Sequence, residues 1–207
     1  MKSAYIMKIL FSYFNDSRKL KLIKYNKKIK NKININLEIY RLFSDRYIIY
    51  EAKWKGKEYD SYSDLLIYEG EFLNCKRNGK GKEYSEYVKL LFEGEYLNGK
   101  RNGHGKEYDK FNNHELIFEG EYLNGIKNGI KNGYGKEYDN YNANLNFEGI
   151  YLNGERNGYG KEYNKEGKLI FEGNYLEKKI NGYGKEYDTY NGKLRYEGNF
   201  LNGIRNG

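Results

Sequence analysis

The chain has 207 residues, 38% hydrophobic and 17% aromatic, with 25 tyrosines against one tryptophan, so half-exposed ring surface takes the place of a deep aliphatic core. Its one cysteine, Cys75, excludes an internal disulfide and a cysteine zinc cluster, and makes a reducing, cytoplasmic setting the expected one. The formal charge of +8 is confined to one end: residues 1–50 hold 12 Lys+Arg and 3 Asp+Glu, residues 51–207 hold 25 and 26.

That asymmetry, and the first glycine at Gly56, place a boundary near Tyr50 between a basic segment, 1–50, and a second unit, 51–207. The opening MKSAYIMKILFSYF is not read as a signal peptide, because Lys8 interrupts its apolar run and no small-residue cleavage site follows. Ile6, Ile9, Leu10, Tyr13 and Phe14 keep helical spacing, and Asn15-Asp16-Ser17 breaks it and caps a second helix from Arg18. That helix sets Leu20, Ile23 and Ile33 among Lys19, Lys21, Lys24, Lys27, Lys28 and Lys30, the residues expected to meet any anionic lipid surface. Residues 36–43 fit a short third helix, although alternation through Ile33, Ile35, Leu37 and Ile39 suits a strand as well. RYIIYE, 46–51, is expected to be the strand that leads into a sheet. No run of eighteen uncharged apolar residues occurs, so no helix is expected to span a bilayer.

From Tyr68 onward the chain repeats. Aromatic-Glu-Gly begins at Tyr68, Phe92, Phe118, Phe147, Phe171 and Tyr196, at intervals of 24, 26, 29, 24 and 25 residues. Gly-Lys-Glu-Tyr keeps the same beat from Gly56, Gly81, Gly105, Gly135, Gly160 and Gly184, and residues 50–59 read as a worn first unit with Ala52 in place of glycine. Such self-similarity marks a stack of one supersecondary unit. The long interval comes from a four-residue duplication, GIKNGIKN at 125–132, which a turn absorbs and a strand would not.

Within a unit the period is two. Leu116, Phe118, Gly120 and Tyr122 are expected on one face and Ile117, Glu119, Glu121 and Leu123 on the other, followed by an Asn-Gly turn and a return strand. Each unit is therefore one β-hairpin, and each strand glycine is expected to leave a gap for an aromatic ring from the adjacent hairpin. A lone hairpin is marginal, so the predicted fold is mainly β: an elongated single antiparallel sheet of stacked hairpins behind a small basic α-helical cap.

Little of this pattern carries reaction chemistry. GKRNGHGKE departs from a phosphate loop in spacing, with Glu107 where Ser or Thr belongs. His104 and His114 read as a surface strand residue and a loop residue, Cys75 has no neighbouring base, and a glutamate repeated six times is architectural. No catalytic residue, cofactor or metal ligand is expected, and no small-molecule substrate.

FEGEYLNGKRNGHGKEY resembles a MORN repeat (membrane occupation and recognition nexus): an aromatic, a glycine two residues on, a second aromatic, Asn-Gly, and a glycine pair before a late aromatic. The resemblance runs from Tyr68 to Gly207; the units are longer than the family usually shows, and Leu176-Glu-Lys-Lys-Ile replaces one Asn-Gly turn. It implies a twisted β-rod used for scaffolding, dimerisation or membrane-proximal assembly, hence a non-enzymatic module whose partner is a protein or a second copy. A single-layer sheet is expected to leave its rings open, so Phe92, Tyr96, Phe118, Tyr122, Phe147, Tyr151, Phe171 and Tyr175 are the predicted partner-binding face. Two further expectations concern residues 1–50: peripheral binding of anionic phospholipid, and, because IMKILFSYFNDSRKLKLIKYNKKIKNKI resembles an F-box, a role as substrate adaptor for a ubiquitin ligase. Nucleic acid is not expected, since the basic segment lacks arginine-rich or base-stacking organisation.

Overall fold

The computed structural model describes residues 45–111, 115–123 and 130–206. The predicted helices, the six lysines, the F-box-like stretch and His114 lie outside the described residues.

Fourteen strands form one antiparallel sheet in strict chain order. They are β1 (Arg46–Tyr50), β2 (Lys55–Asp60), β3 (Leu66–Leu73), β4 (Lys76–Tyr84), β5 (Leu90–Leu97), β6 (Lys100–Tyr108) and β7 (Leu116–Leu123). The second half continues with β8 (Ile130–Tyr138), β9 (Leu145–Leu152), β10 (Glu155–Tyr163), β11 (Leu169–Leu176), β12 (Lys179–Tyr187), β13 (Leu194–Leu201) and β14 (Ile204–Arg205). The elongated open sheet predicted from the repeat is thus present, and it starts at Arg46, inside the basic segment. No helix among the described residues is long and apolar enough to cross a membrane.

The register repeats as faithfully as the sequence. Gly56 pairs with Gly70, Gly70 with Gly81, Gly81 with Gly94, and so on to Gly184 with Gly198, a row of glycines running across β2 to β13. On both sides of residues 124–129 this register is intact, with Leu123 opposite Ile130 and Gly120 opposite Gly135, so the duplicated tetrapeptide leaves the strands in phase. The alternation fails at one predicted place. A β-bulge sets Glu107 opposite Phe118 but Tyr108 opposite Leu116, so Leu116 leaves the row of Phe118, Gly120 and Tyr122.

The glycines are needed because rings lie on them. A β-carbon on Gly105 would stand 2.3 Å from Cζ of Phe92, and one on Gly94 2.6 Å from the α-carbon of Gly105. Phe118 over Gly120 and Gly135, and Phe147 over Gly149 and Gly160, repeat the arrangement. The ring therefore covers the glycine of its own hairpin's return strand, which corrects the expectation that it comes from the adjacent hairpin. Contact between hairpins is ring against ring: Tyr96 meets Tyr68, Tyr122 meets Phe92, Tyr151 meets Phe118, Tyr175 meets Phe147 and Phe200 meets Phe171, all edge to face with centroids 5.0–5.3 Å apart. Within hairpins the same geometry links Phe92 to Tyr96 and Phe118 to Tyr122, so the rings form one uninterrupted zipper.

The eight rings predicted to form an open partner-binding face are inside this zipper, none more than 5% exposed. They are the core of the protein and not a surface. The second layer comes from long charged side chains folded down over the rings. Arg77 lies 4.5 Å above the Tyr68 ring centre, and Arg101, Lys131 and Arg156 each lie 4.1 Å above Phe92, Phe118 and Phe147. The glutamate of each Gly-Lys-Glu-Tyr segment joins these cations in series. Arg77 bridges Glu58 and Glu83, Arg101 bridges Glu83 and Glu107, Lys131 stands between Glu107 and Glu137, and Arg156 bridges Glu137 and Glu162. In β12 the equivalent residue is Ile180, paired with Tyr175 as Arg101 is with Tyr96, and the series is interrupted there.

Candidate functional site

The face opposite the zipper is polar, because each glycine places its two neighbours there together. One row across the sheet alternates in sign: Lys57, Glu69, Lys82, Glu93, Lys106 and Glu119 are successive cross-strand partners, and the alternation continues to Lys185 and Glu197. Four tyrosines lock onto this row from the strand ends. Tyr84 donates to Glu69, Tyr108 to Glu93, Tyr163 to Glu148 and Tyr187 to Glu172. Burial together with the Glu93 bond pushes the Tyr108 phenol up to about 12, and the Glu172 bond does the same for Tyr187.

A second row runs on the other side of the glycines, and the two halves of the molecule differ in it. In β8, β10 and β12 the residues are Tyr134, Tyr159 and Tyr183, whose hydroxyls reach across the glycine line to Glu148, Glu172 and Glu197. In β2, β4 and β6 the same positions hold Lys55, Lys80 and His104, opposite Glu71, Glu95 and Glu121. Lys55 and Lys80 leave the glycine line open, while the His104 ring reaches across it toward Glu119 as the tyrosines do. A groove of about 640 Å³ results, floored by the backbone of Gly56, Gly70, Gly81, Gly94 and Gly105 and walled by Lys55, Lys80, His104, Glu71 and Glu95. The His104 ring stands 3.4 Å from a carboxylate oxygen of Glu119 and of Glu121 and closes the groove at that end.

Beyond the second row, at the tight turns, a line of half-exposed leucines flanks the same face: Leu73, Leu97, Leu123, Leu152, Leu176 and Leu201. The groove thus combines exposed backbone, opposed charges and an apolar margin, which are the elements of a protein-binding surface. It offers no paired nucleophile and base, and among the described residues no group of three or more His, Cys, Asp or Glu is placed to hold a metal ion.

None of the predicted partner-binding rings lines this groove. The eight rings lie beneath the sheet from it, in the zipper. The sequence signal for the groove was Lys55 and Lys80 standing where later repeats have Tyr134, Tyr159 and Tyr183 in one column of the repeat; what it left out was that these tyrosines fill a channel that lysine leaves open.

An open sheet in which every hairpin repeats the same ring, glycine and charge positions is a repeat protein whose units contact only their neighbours. The MORN repeat family model matches residues 68–86, 92–110, 118–142, 147–168, 171–189 and 196–207. The chain belongs to the MORN-repeat family. No curated protein sequence matches it. Among solved structures it is similar to TarM at 14% identity and a TM-score of 0.34, across 66% of this chain and 26% of that one. A mutant of S. aureus TarM in complex with Fondaparinux, alpha-GlcNAc-glycerol and UDP gives the same identity, TM-score and coverage. A likeness of this size carries no argument about activity.

Proposed function

We propose that the protein is a non-enzymatic scaffold of the cytoplasm that holds a protein partner along the open groove of β2 to β6. The observation that carries this reading is the contrast along one face: three repeats close the glycine line with tyrosine, and at Lys55 and Lys80 it stays exposed between opposed charges. The repeat array supplies length and rigidity, and the groove supplies one distinct place on it.

The test fills the groove without touching the zipper. Lys80→Tyr with His104→Tyr copies the sequence of the later repeats, so the variant keeps the fold by circular dichroism. Partners captured on the full chain are expected to be lost from this variant; equal capture by both would remove the groove from the reading.

The concentration of positive charge in residues 1–50 supports a second attachment, to anionic lipid, since each lysine near such a surface contributes about 1 kcal/mol. Cosedimentation with vesicles containing phosphatidylserine is expected to fall with added salt and to disappear when Lys19, Lys21, Lys24, Lys27, Lys28 and Lys30 are all changed to Gln. Binding that survives those changes would refute the attachment.

A further inference from the structure

Five large aromatic side chains stand apart from the zipper. Tyr62, Tyr87, Phe111, Tyr141 and Tyr190 are between 68% and 88% exposed. Each lies in a connection between successive hairpins, and in an antiparallel meander those connections all fall on one long edge of the sheet. The rings are therefore set in a line parallel to the long axis. With two strands per hairpin, successive connections are roughly 9.5 Å apart.

The backbone beneath each ring is fixed in the same way. Its amide donates to a side chain two residues earlier: Tyr62 to Asp60, Tyr87 to Ser85, Phe111 to Asp109, Tyr141 to Asp139 and Tyr190 to Asp188. Neighbouring connections are also tied together. Lys110 pairs with Glu86 at 3.1 Å, Asn144 donates to the Lys165 carbonyl at 2.7 Å, and Lys168 donates to the Tyr190 carbonyl at 2.8 Å. Only the connection capped by Asn164 lacks a ring, having Glu166 at the equivalent place. The bonds fix the backbone that carries each exposed ring, and a backbone ordered in advance lowers the entropic cost of binding.

The charge along this edge limits what it can hold. The connections 60–65, 85–89, 109–115, 139–144, 164–168 and 188–193 carry eight Asp and Glu against five Lys. That balance disfavours phosphodiester chains and anionic lipid, both of which need clustered cations. It also disfavours two copies meeting along this edge, since like charges would face one another. An uncharged polymer escapes both penalties, and the ring spacing suits one that presents a flat apolar face at intervals that match two strands. A β-1,4-linked hexose chain does so: it is extended, its sugars show C–H faces that stack on aromatic rings, and every second sugar has the same orientation, over nearly the same distance. Its hydroxyls would meet the amide side chain of Asn140, next to Tyr141.

We propose that this edge is a binding track for an extended, uncharged β-1,4-linked glycan, with Tyr62, Tyr87, Phe111, Tyr141 and Tyr190 as its stacking platforms. The test is native electrophoresis of the full chain through gels containing hydroxyethylcellulose, amylose or dextran sulfate. Hydroxyethylcellulose should retard the protein, while amylose, whose α-linkage coils the chain, and the polyanion should not. Phe111→Ser with Tyr141→Ser should weaken the retardation about tenfold, and Tyr62→Ser with Tyr87→Ser should do the same, both without change in circular dichroism or melting. The proposal is overturned by absence of retardation in hydroxyethylcellulose, by retardation that both double variants retain, or by equal retardation in dextran sulfate. Sedimentation that depends on concentration and is abolished by the serine variants, without any glycan effect, would assign the rings to a second copy instead.

Discussion

Arg101 holds its guanidinium 4.1 Å above the centre of the Phe92 ring while its nitrogens reach Glu83 at 2.8 Å and Glu107 at 3.0 Å. One side chain thus roofs the zipper and links two hairpins by charge. With the Arg101 side chain only 11% exposed, its loss would leave Glu83 to Arg77 alone and Glu107 to Lys131 at 4.0 Å, and would uncover the Phe92 ring. Arg101→Ala is expected to cost about 3 kcal/mol of stability in urea denaturation. Ile180 provides the opposite experiment. Ile180→Arg places a cation between Glu162 and Glu186, whose neighbours Arg156 and Arg205 already show the required geometry. A gain of about 1 kcal/mol is expected; a loss would mean that the charged roof is incidental to stability.

Gly105 tests the ring-on-glycine relation directly. Phe92 cannot yield to a β-carbon at 2.3 Å without displacing Tyr96 and Tyr122, which hold its edges. Gly105→Ala is expected to cost about 3 kcal/mol, at the upper end of overpacking. Combining it with Phe92→Leu should recover part of that cost, because leucine does not extend as far over the strand. Simple additivity in this double-mutant cycle would show that the two residues do not meet. Gly167→Ala is the control for backbone strain alone: its φ is 77° and nothing lies within 4 Å of the added carbon, so about 1 kcal/mol is expected.

The repeat made the strands, the register and the glycine row legible, because alternation and a fixed interval determine them. It did not show which hairpin's glycine Phe92 would cover. That depends on the lean of the ring along its own strand, a direction that alternation does not encode. Nor did it show that Tyr96 and Tyr122 would be closed to water. Nothing in the repeat marks Arg77, Arg101 and Arg156 as a roof, and only the cross-strand pairing of Arg101 with Tyr96 reveals that the arginines fold onto the rings. The exposed rings Tyr62 and Tyr141 were hidden in another way: a single aromatic in a loop has no periodicity to betray it until the loops are seen to share one edge.

The turn at Glu177-Lys178 departs from the Asn-Gly rule, and the backbone records the consequence. Asn98-Gly99, Asn153-Gly154 and Asn202-Gly203 adopt positive φ at both positions, as the tight hairpin requires. Glu177 at 48° and Lys178 at 71° take the same conformation without the residues that favour it. The Lys178 amide still donates to the Arg156 carbonyl at 3.0 Å, as Gly154 does to Lys131, so the neighbouring hairpin holds the turn in place. Glu177→Asn with Lys178→Gly is expected to stabilise the protein by about 1–2 kcal/mol. No gain in the urea midpoint would mean that the strain is absent.

Buried carboxylates and phenols bound the pH range of the fold from both sides. Burial alone would raise the Glu83 carboxyl, but Arg101 and Arg77 outweigh it and hold the group below the ordinary carboxylate range. A depressed folded value means that Glu83 contributes stability above its unfolded pKa of about 4.3, and that this contribution is lost as pH falls through the folded value. The tyrosines act in the other direction. Tyr108 and Tyr187 are raised to about 12, and burial raises the zipper phenols of Tyr96, Tyr122 and Tyr175 beyond that. A raised phenol contributes stability that is complete below its unfolded value of about 10 and lost as pH rises through the folded one. The urea midpoint is therefore expected to be flat between about pH 5 and pH 10 and to fall outside that window. Tyrosinate absorbance from the zipper should appear only together with loss of the sheet's circular dichroism. Ionisation of those rings in an intact sheet would show that water reaches the zipper, and that the roof of arginine and glutamate does not close it.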